Sequence, residues 1–85
     1  MRIDFSKIMV EDIEGNKSPY DVSKELGNMI YLNAVDIAEA DLGREIYHKK
    51  EVDLTKEQAD VVRGYVEKRF KAIAKMAILP LLSVG

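Results

Sequence analysis

The side chains able to do chemistry are few, and their spacing keeps them apart. His48 is the only imidazole and there is no cysteine. Thiol nucleophiles, disulfides, thiolate-bound zinc and iron–sulfur centres are therefore excluded. A general base needs a nucleophile or an orienting acid beside it, whereas His48 stands between Tyr47 and the cations Lys49 and Lys50. It reads as a surface histidine near a helix C-terminus. Glu11, Asp12, Glu14, Gly15 and Asn16 look like the start of a calcium loop. With Asp12 in the first position, however, the sixth is Lys17 instead of glycine and the twelfth is Ser23 instead of glutamate. An acidic hairpin tip is the better reading. Asp36, Glu39 and Asp41 do not share one helix face well enough for a metal site, and no dinucleotide-binding, P-loop or nucleophile-elbow glycine spacing occurs. No catalytic residue, metal ligand or cofactor is expected, and the chain reads as non-enzymatic.

The basic residues offer a second chemistry. After Glu67 come Lys68, Arg69, Lys71 and Lys75 with no acid. Lys68, Lys71 and Lys75 fall on one side of a helix and would carry nucleic-acid binding in the alternative reading, a small DNA-associated regulator. That stripe lacks the Arg, Asn or Gln cluster that reads base edges, and the net charge is −2. A helix-turn-helix would also need a second helix directly after Gly43, where Lys50–Leu54 turns toward strand. The two halves differ in sign. Residues 1–42 carry 4 basic and 9 acidic groups, a balance of −5, and residues 43–85 carry 9 basic and 6 acidic groups, a balance of +3. Such a dipolar chain can bind an acidic partner or associate head to tail with its own copies, but a solvated helix face is the commoner meaning of such a charge run.

The elements that position these groups are those of a single small domain over residues 1–85, 47 % hydrophobic and 33 % charged, of ordinary globular composition. Met1-Arg2-Ile3-Asp4 lacks the apolar stretch of a secretory signal, and the longest apolar run, Met76 to Val84, is too short to span a bilayer and contains Pro80. A cytoplasmic protein with no membrane contact is expected, so the glycosylation sequon at Asn16-Lys17-Ser18 carries no meaning. Ile3 to Ile13 is rich in β-formers, Glu14-Gly15-Asn16 is a turn, and Lys17 to Tyr20 returns as an edge strand holding Pro19. Together they predict an N-terminal hairpin. Val22, Leu26, Met29, Ile30 and Asn33 mark one face of a helix capped by Asp21, or by Ser18 with Pro19 behind it. A second helix runs from about Asp36 to Tyr47. Glu51-Val52-Asp53-Leu54 can add a short third strand to the hairpin. Thr55-Lys56-Glu57-Gln58 is a capping box, with Leu54 and Ala59 as its hydrophobic staple. The fold class is α+β, a hairpin with three to four helices.

The last helix can run from Thr55 to Leu79, stopped by Pro80. Ala59, Val62, Val66, Phe70, Ile73 and Ala77 form its core stripe. A second apolar row holds Val61, Tyr65, Ala72, Met76 and Leu79. An unbroken helix of that length would be ~36 Å long, more than so small a globule covers. It either breaks near Gly64–Phe70 and folds back, or packs on another chain. The partner contact is preferred, with Val61, Tyr65, Met76 and Leu79 as interaction residues and a homo-oligomer as the expected assembly. Leu26-Gly27-Asn28-Met29-Ile30-Tyr31 is echoed by Leu42-Gly43-Arg44-Glu45-Ile46-Tyr47. Both read L-G-x-x-I-Y, which fits two helices crossing closely as a pseudo-symmetric pair through their glycines.

The chain resembles small uncharacterised proteins of phages and integrated prophages, especially of gut Bacteroidales. The shared features are the opening strand Ile3-Asp4-Phe5, the turn Asp12-Ile13-Glu14-Gly15, the Leu26-Gly27 helix, the Ile46-Tyr47 helix end, and Glu51-Val52-Asp53-Leu54 before Thr55. The resemblance covers most of the chain, and none of its motifs is catalytic. It implies a genomic setting, and a helix break in the last third that no proline before Pro80 marks. The leading functional expectation is a phage-type interaction protein, acting in assembly or regulation by binding itself or another protein.

Overall fold

A computed structural model describes residues 1–82. Strand β1 spans Arg2–Asp4, β2 Ile8–Glu11 and β3 Lys17–Tyr20, followed by helices α1 (Ser23–Asn33) and α2 (Ile37–Lys49). Strand β4 (Glu51–Asp53) and helices α3 (Lys56–Arg69) and α4 (Ala72–Leu82) complete the α+β domain.

The opening β-rich stretch is two strands, and the third short strand joins the first of them instead of the hairpin. Strand β1 pairs antiparallel with β4, Ile3 opposite Val52. Strands β2 and β3 form the hairpin in a separate sheet, Ile8 opposite Tyr20 and Glu11 opposite Lys17. The break lies at Asp4-Phe5-Ser6, where the Asp4 carboxylate accepts from the Ser6 backbone N–H and from its hydroxyl. Burial explains the bend. In a straight strand, residues 5 and 8 point to opposite faces, yet Phe5 and Ile8 are both fully inside. The same device recurs at Asp21-Val22-Ser23, where the Asp21 carboxylate accepts from both donors of the buried Ser23. These Ser23 bonds hold the Asp21 carboxyl below its usual range. Neither Asp21 nor Ser18 is the N-cap of α1. That position falls to Val22, which has no side-chain cap bond and is instead sunk in the core, its N–H donating to the Phe5 carbonyl at 2.8 Å.

Helices α1 and α2 cross at their glycines, as the L-G-x-x-I-Y echo predicts. A Cβ on Gly27 would lie 2.7 Å from both the Gly43 carbonyl oxygen and the Tyr47 backbone nitrogen. A Cβ on Gly43 would lie 2.7 Å from the Gly27 oxygen and the Tyr31 nitrogen. The contacts are reciprocal, so the pair has a local two-fold character. Leu26, Ile30, Leu42 and Ile46 are buried on its inner side. Asp36 caps α2 by accepting from the Glu39 N–H, and Thr55 and Gln58 close the expected capping box on α3.

The long last helix is broken. Phe70 has extended backbone angles (φ −94°, ψ 155°) and ends α3, and α4 folds back so that the Arg63 guanidinium reaches the Leu82 carbonyl at 2.8 Å. Ala59, Val62, Val66 and Phe70 are buried as expected, but Ile73 is exposed and Ala77 half-buried; Ile78 and Leu82 take their places inside. The turn at Phe70 is what brings those two back onto the core. Pro80 is exposed within α4 instead of terminating it.

Candidate functional site

The break at Phe70 decides where the expected site residues go. Val61, Tyr65, Met76 and Leu79 no longer share one helix face. Val61, Tyr65 and Leu79 are half-buried against the monomer's own core, and only Met76 stands out, 71 % exposed. The lysine stripe is divided too: Lys68 lies in the last turn of α3, Lys71 lies in the link and Lys75 is half-buried on α4.

What replaces the stripe and the row is a groove at the elbow between α3 and α4, made of two depressions that share Arg69. A third depression lies farther along α4, against hairpin residues that the register places on the opposite face from Val10 and Tyr20. The first, about 420 Å³, is lined by Val61, Gly64, Tyr65, Lys68 and Arg69 of α3 with Asn33 and Glu39 at its far end. The second, about 390 Å³, shares Arg69 and continues over Phe70, Lys71, Ile73 and Ala74 to Val10, Tyr20 and Glu25. The third, about 280 Å³, shares Ile73 and is lined by Met76, Ala77 and Pro80 against Met9, Glu11 and Lys17 of the hairpin. Four of the expected interaction and nucleic-acid residues thus line the groove, Val61, Tyr65, Lys68 and Lys71, and Met76 lines the third depression. Leu79 and Lys75 line none of the three depressions.

The middle of the groove is cationic over an apolar floor. Lys68, Arg69 and Lys71 have no ion pair among the described residues. Carboxylates are present at Glu25 and Glu39, but Glu39 is engaged: its Oε1 accepts from the Tyr65 hydroxyl at 2.5 Å. Burial, and then the Glu39 bond, push the Tyr65 phenol up to about 12. A raised phenol pKa stabilises the fold fully below the unfolded value of 10.0 and is lost as the pH rises through about 12. Tyr65→Phe is therefore expected to cost about 1 kcal/mol near neutrality and to remove that alkaline decline. Urea midpoints of parent and variant at about pH 9 and about pH 11.5 measure it. A parent–variant difference identical at both pH values would disprove the coupling.

Sequence reasoning passed over Arg69, counted among the basic residues but left off the stripe, although it joins two depressions. Glu39 was weighed only as a metal ligand; its bond to Tyr65, far along the chain, has no local signal. His48 lies in a fourth depression, about 290 Å³, over the Gly27–Gly43 crossing, with Asn28, Tyr31, Arg44 and Tyr47. There the Arg44 guanidinium sits 5.5 Å from the Tyr31 ring centre, and His48 meets Tyr47 edge-on at 5.0 Å. No carboxylate hydrogen-bonds the imidazole among the described residues. No three described His, Asp or Glu side chains come together as a metal-ligand set, and no described helix is long and apolar enough to cross a membrane.

Compared with known proteins, the chain matches no protein family, no curated sequence and no solved structure.

Proposed function

We propose that this protein is a non-enzymatic interaction module, acting in assembly or regulation by seating an acidic, apolar-tipped segment of a protein partner in the groove at the α3–α4 elbow. The observation that carries the reading is the company kept by Lys68, Arg69 and Lys71: three cations without ion pairs among the described residues, set among Val61, Tyr65, Phe70 and Ile73. A solvated helix face would present its charges away from apolar surface. Here a partner's carboxylates meet the cations while its apolar side chain covers the floor, the arrangement of charge and burial that gives protein interfaces their specificity. The phage or prophage setting implied by the resemblance suits a small protein that works by contact alone. The DNA reading is the weaker one, because the elbow parts Lys75 from Lys68 and Lys71.

Titrating the labelled full chain with a short synthetic peptide, one isoleucine flanked by glutamates, tests the proposal by amide chemical-shift mapping. Shifts confined to Val61, Tyr65, Arg69, Lys71 and Ile73 are expected, with a Kd on the order of 0.1–1 mM, and Arg69→Glu with Lys71→Glu abolishes them. No shift, or shifts elsewhere, refutes the groove as a docking site. Tight, steeply salt-dependent binding of duplex DNA in place of the peptide would transfer the site to the nucleic-acid reading.

A further inference from the structure

Resting on that groove reading, we infer that its occupant is the hairpin tip of a second copy of this chain, in an antiparallel two-fold dimer. The tip has the required chemistry. Ile13 is completely exposed, at 103 % relative accessibility, and it is flanked by Glu11, Asp12 and Glu14, none of which forms an ion pair among the described residues.

Hydrogen bonds at the tip hold Ile13 outward. The Asp12 N–H donates to the Asn16 carbonyl at 2.9 Å, and the Gly15 N–H to the Asp12 carbonyl at 3.0 Å. The Asp12 carboxylate accepts from the Glu14 and Asn16 N–H groups, each at 2.9 Å. Gly15 supplies the left-handed turn, with φ 88°. A knuckle already fixed in shape loses little conformational freedom when it docks.

Charge complementarity selects the second copy: the tip's carboxylates at Glu11, Asp12 and Glu14 and the groove's cations Lys68, Arg69 and Lys71 are alike without ion pairs among the described residues. Two copies laid antiparallel bring each tip over the other's cations and each Ile13 onto the other's apolar floor. The contact is isologous and closes at two chains. It also joins the acidic half of each chain to the basic half of its partner.

Light scattering and sedimentation equilibrium on the full chain test this. The parent mass is expected to rise from 9.6 kDa toward twice that value and no further as concentration increases from about 10 μM to about 1 mM. Association should weaken about tenfold when salt is raised from about 0.05 to 0.5 M. Ile13→Ser, which removes exposed surface only, should leave a folded monomer. The decisive arm is a charge exchange. Glu11→Lys with Glu14→Lys places cations on the tip, and Arg69→Glu with Lys71→Glu places acids in the groove. Each double variant alone should be monomeric, and an equimolar mixture should recover the dimer, because both of its contacts are again attractive. A parent monomeric at about 1 mM, an Ile13→Ser dimer, species larger than two chains, or a mixture that fails to associate each overturns the inference. If the parent is monomeric while the acidic peptide still shifts the groove resonances, only the identity of the occupant is wrong. If neither binds, the groove reading falls with it.

Discussion

Alanine at Gly27 is expected to lower the midpoint of thermal unfolding by about 15 °C, equivalent to about 3 kcal/mol in a domain of this size, and alanine at Gly43 by a similar amount. Intrinsic helix propensity argues the other way, since alanine is favoured over glycine by about 1 kcal/mol in a helix interior. Geometry wins because the added methyl meets backbone atoms at 2.7 Å on the facing helix, and a backbone cannot swing aside as a side chain can. The two helices must move apart, which loosens the packing of Leu26, Ile30, Leu42 and Ile46 beneath them. Gly64 is the internal control. Among the described residues nothing lies within 4 Å of a Cβ built there, so Gly64→Ala should raise stability by about 0.5–1 kcal/mol through propensity alone. Circular-dichroism melts of the three variants compare them directly. A Gly27→Ala protein as stable as Gly64→Ala would mean the helices do not cross at the glycines.

Ile78→Ala is expected to cost about 3 kcal/mol, the usual penalty for a cavity in a closed core. Met76→Ala, two residues away on the same helix, should cost less than about 0.5 kcal/mol. Ile78 is fully buried and Met76 is 71 % exposed, and this contrast exists only if the chain turns at Phe70 and α4 lies back on the domain. On one straight helix the order would reverse, because Met76 would belong to the row available to another chain. Urea unfolding of both variants reads the difference, and equal midpoints would contradict the packing of α4.

These two regions also show what a single sequence makes legible. The glycine crossing was readable because one short pattern occurs twice and its two copies meet each other. The Thr55–Gln58 capping box was readable because all its partners lie within one turn. The elbow at Phe70 carries no breaker residue. It forms because Ile78 and Leu82 gain more by returning to the core than an unbroken helix gains from its hydrogen bonds, and that is a property of the whole domain. The bend at Asp4-Phe5-Ser6 was local and recurs at Asp21-Val22-Ser23, but an alternating β pattern masked it. The site followed the same division. Tyr65, Met76, Lys68 and Lys71 stood out as unexplained apolar or basic groups; Tyr65, Lys68 and Lys71 line the groove and Met76 the third depression. The placing of Leu79 and Lys75 followed from a straight helix and changed when that helix bent. Arg69 and Glu39 gained their roles only from three-dimensional proximity.

The two small sheets are completed at different moments while the chain is being made. Hairpin strands β2 and β3 emerge from the ribosome nearly together. Strand β1 must wait for β4, because Ile3 pairs with Val52, and at ordinary rates of synthesis that gap lasts roughly 3–10 s. During the wait Ile3 and Phe5 lack the β4 ladder, while α1 and α2, neighbours in the chain, are both already made. Strand β1, made well before its partner, is thus covered late, and a nascent chain stalled before Glu51 presents it as an open edge to other chains.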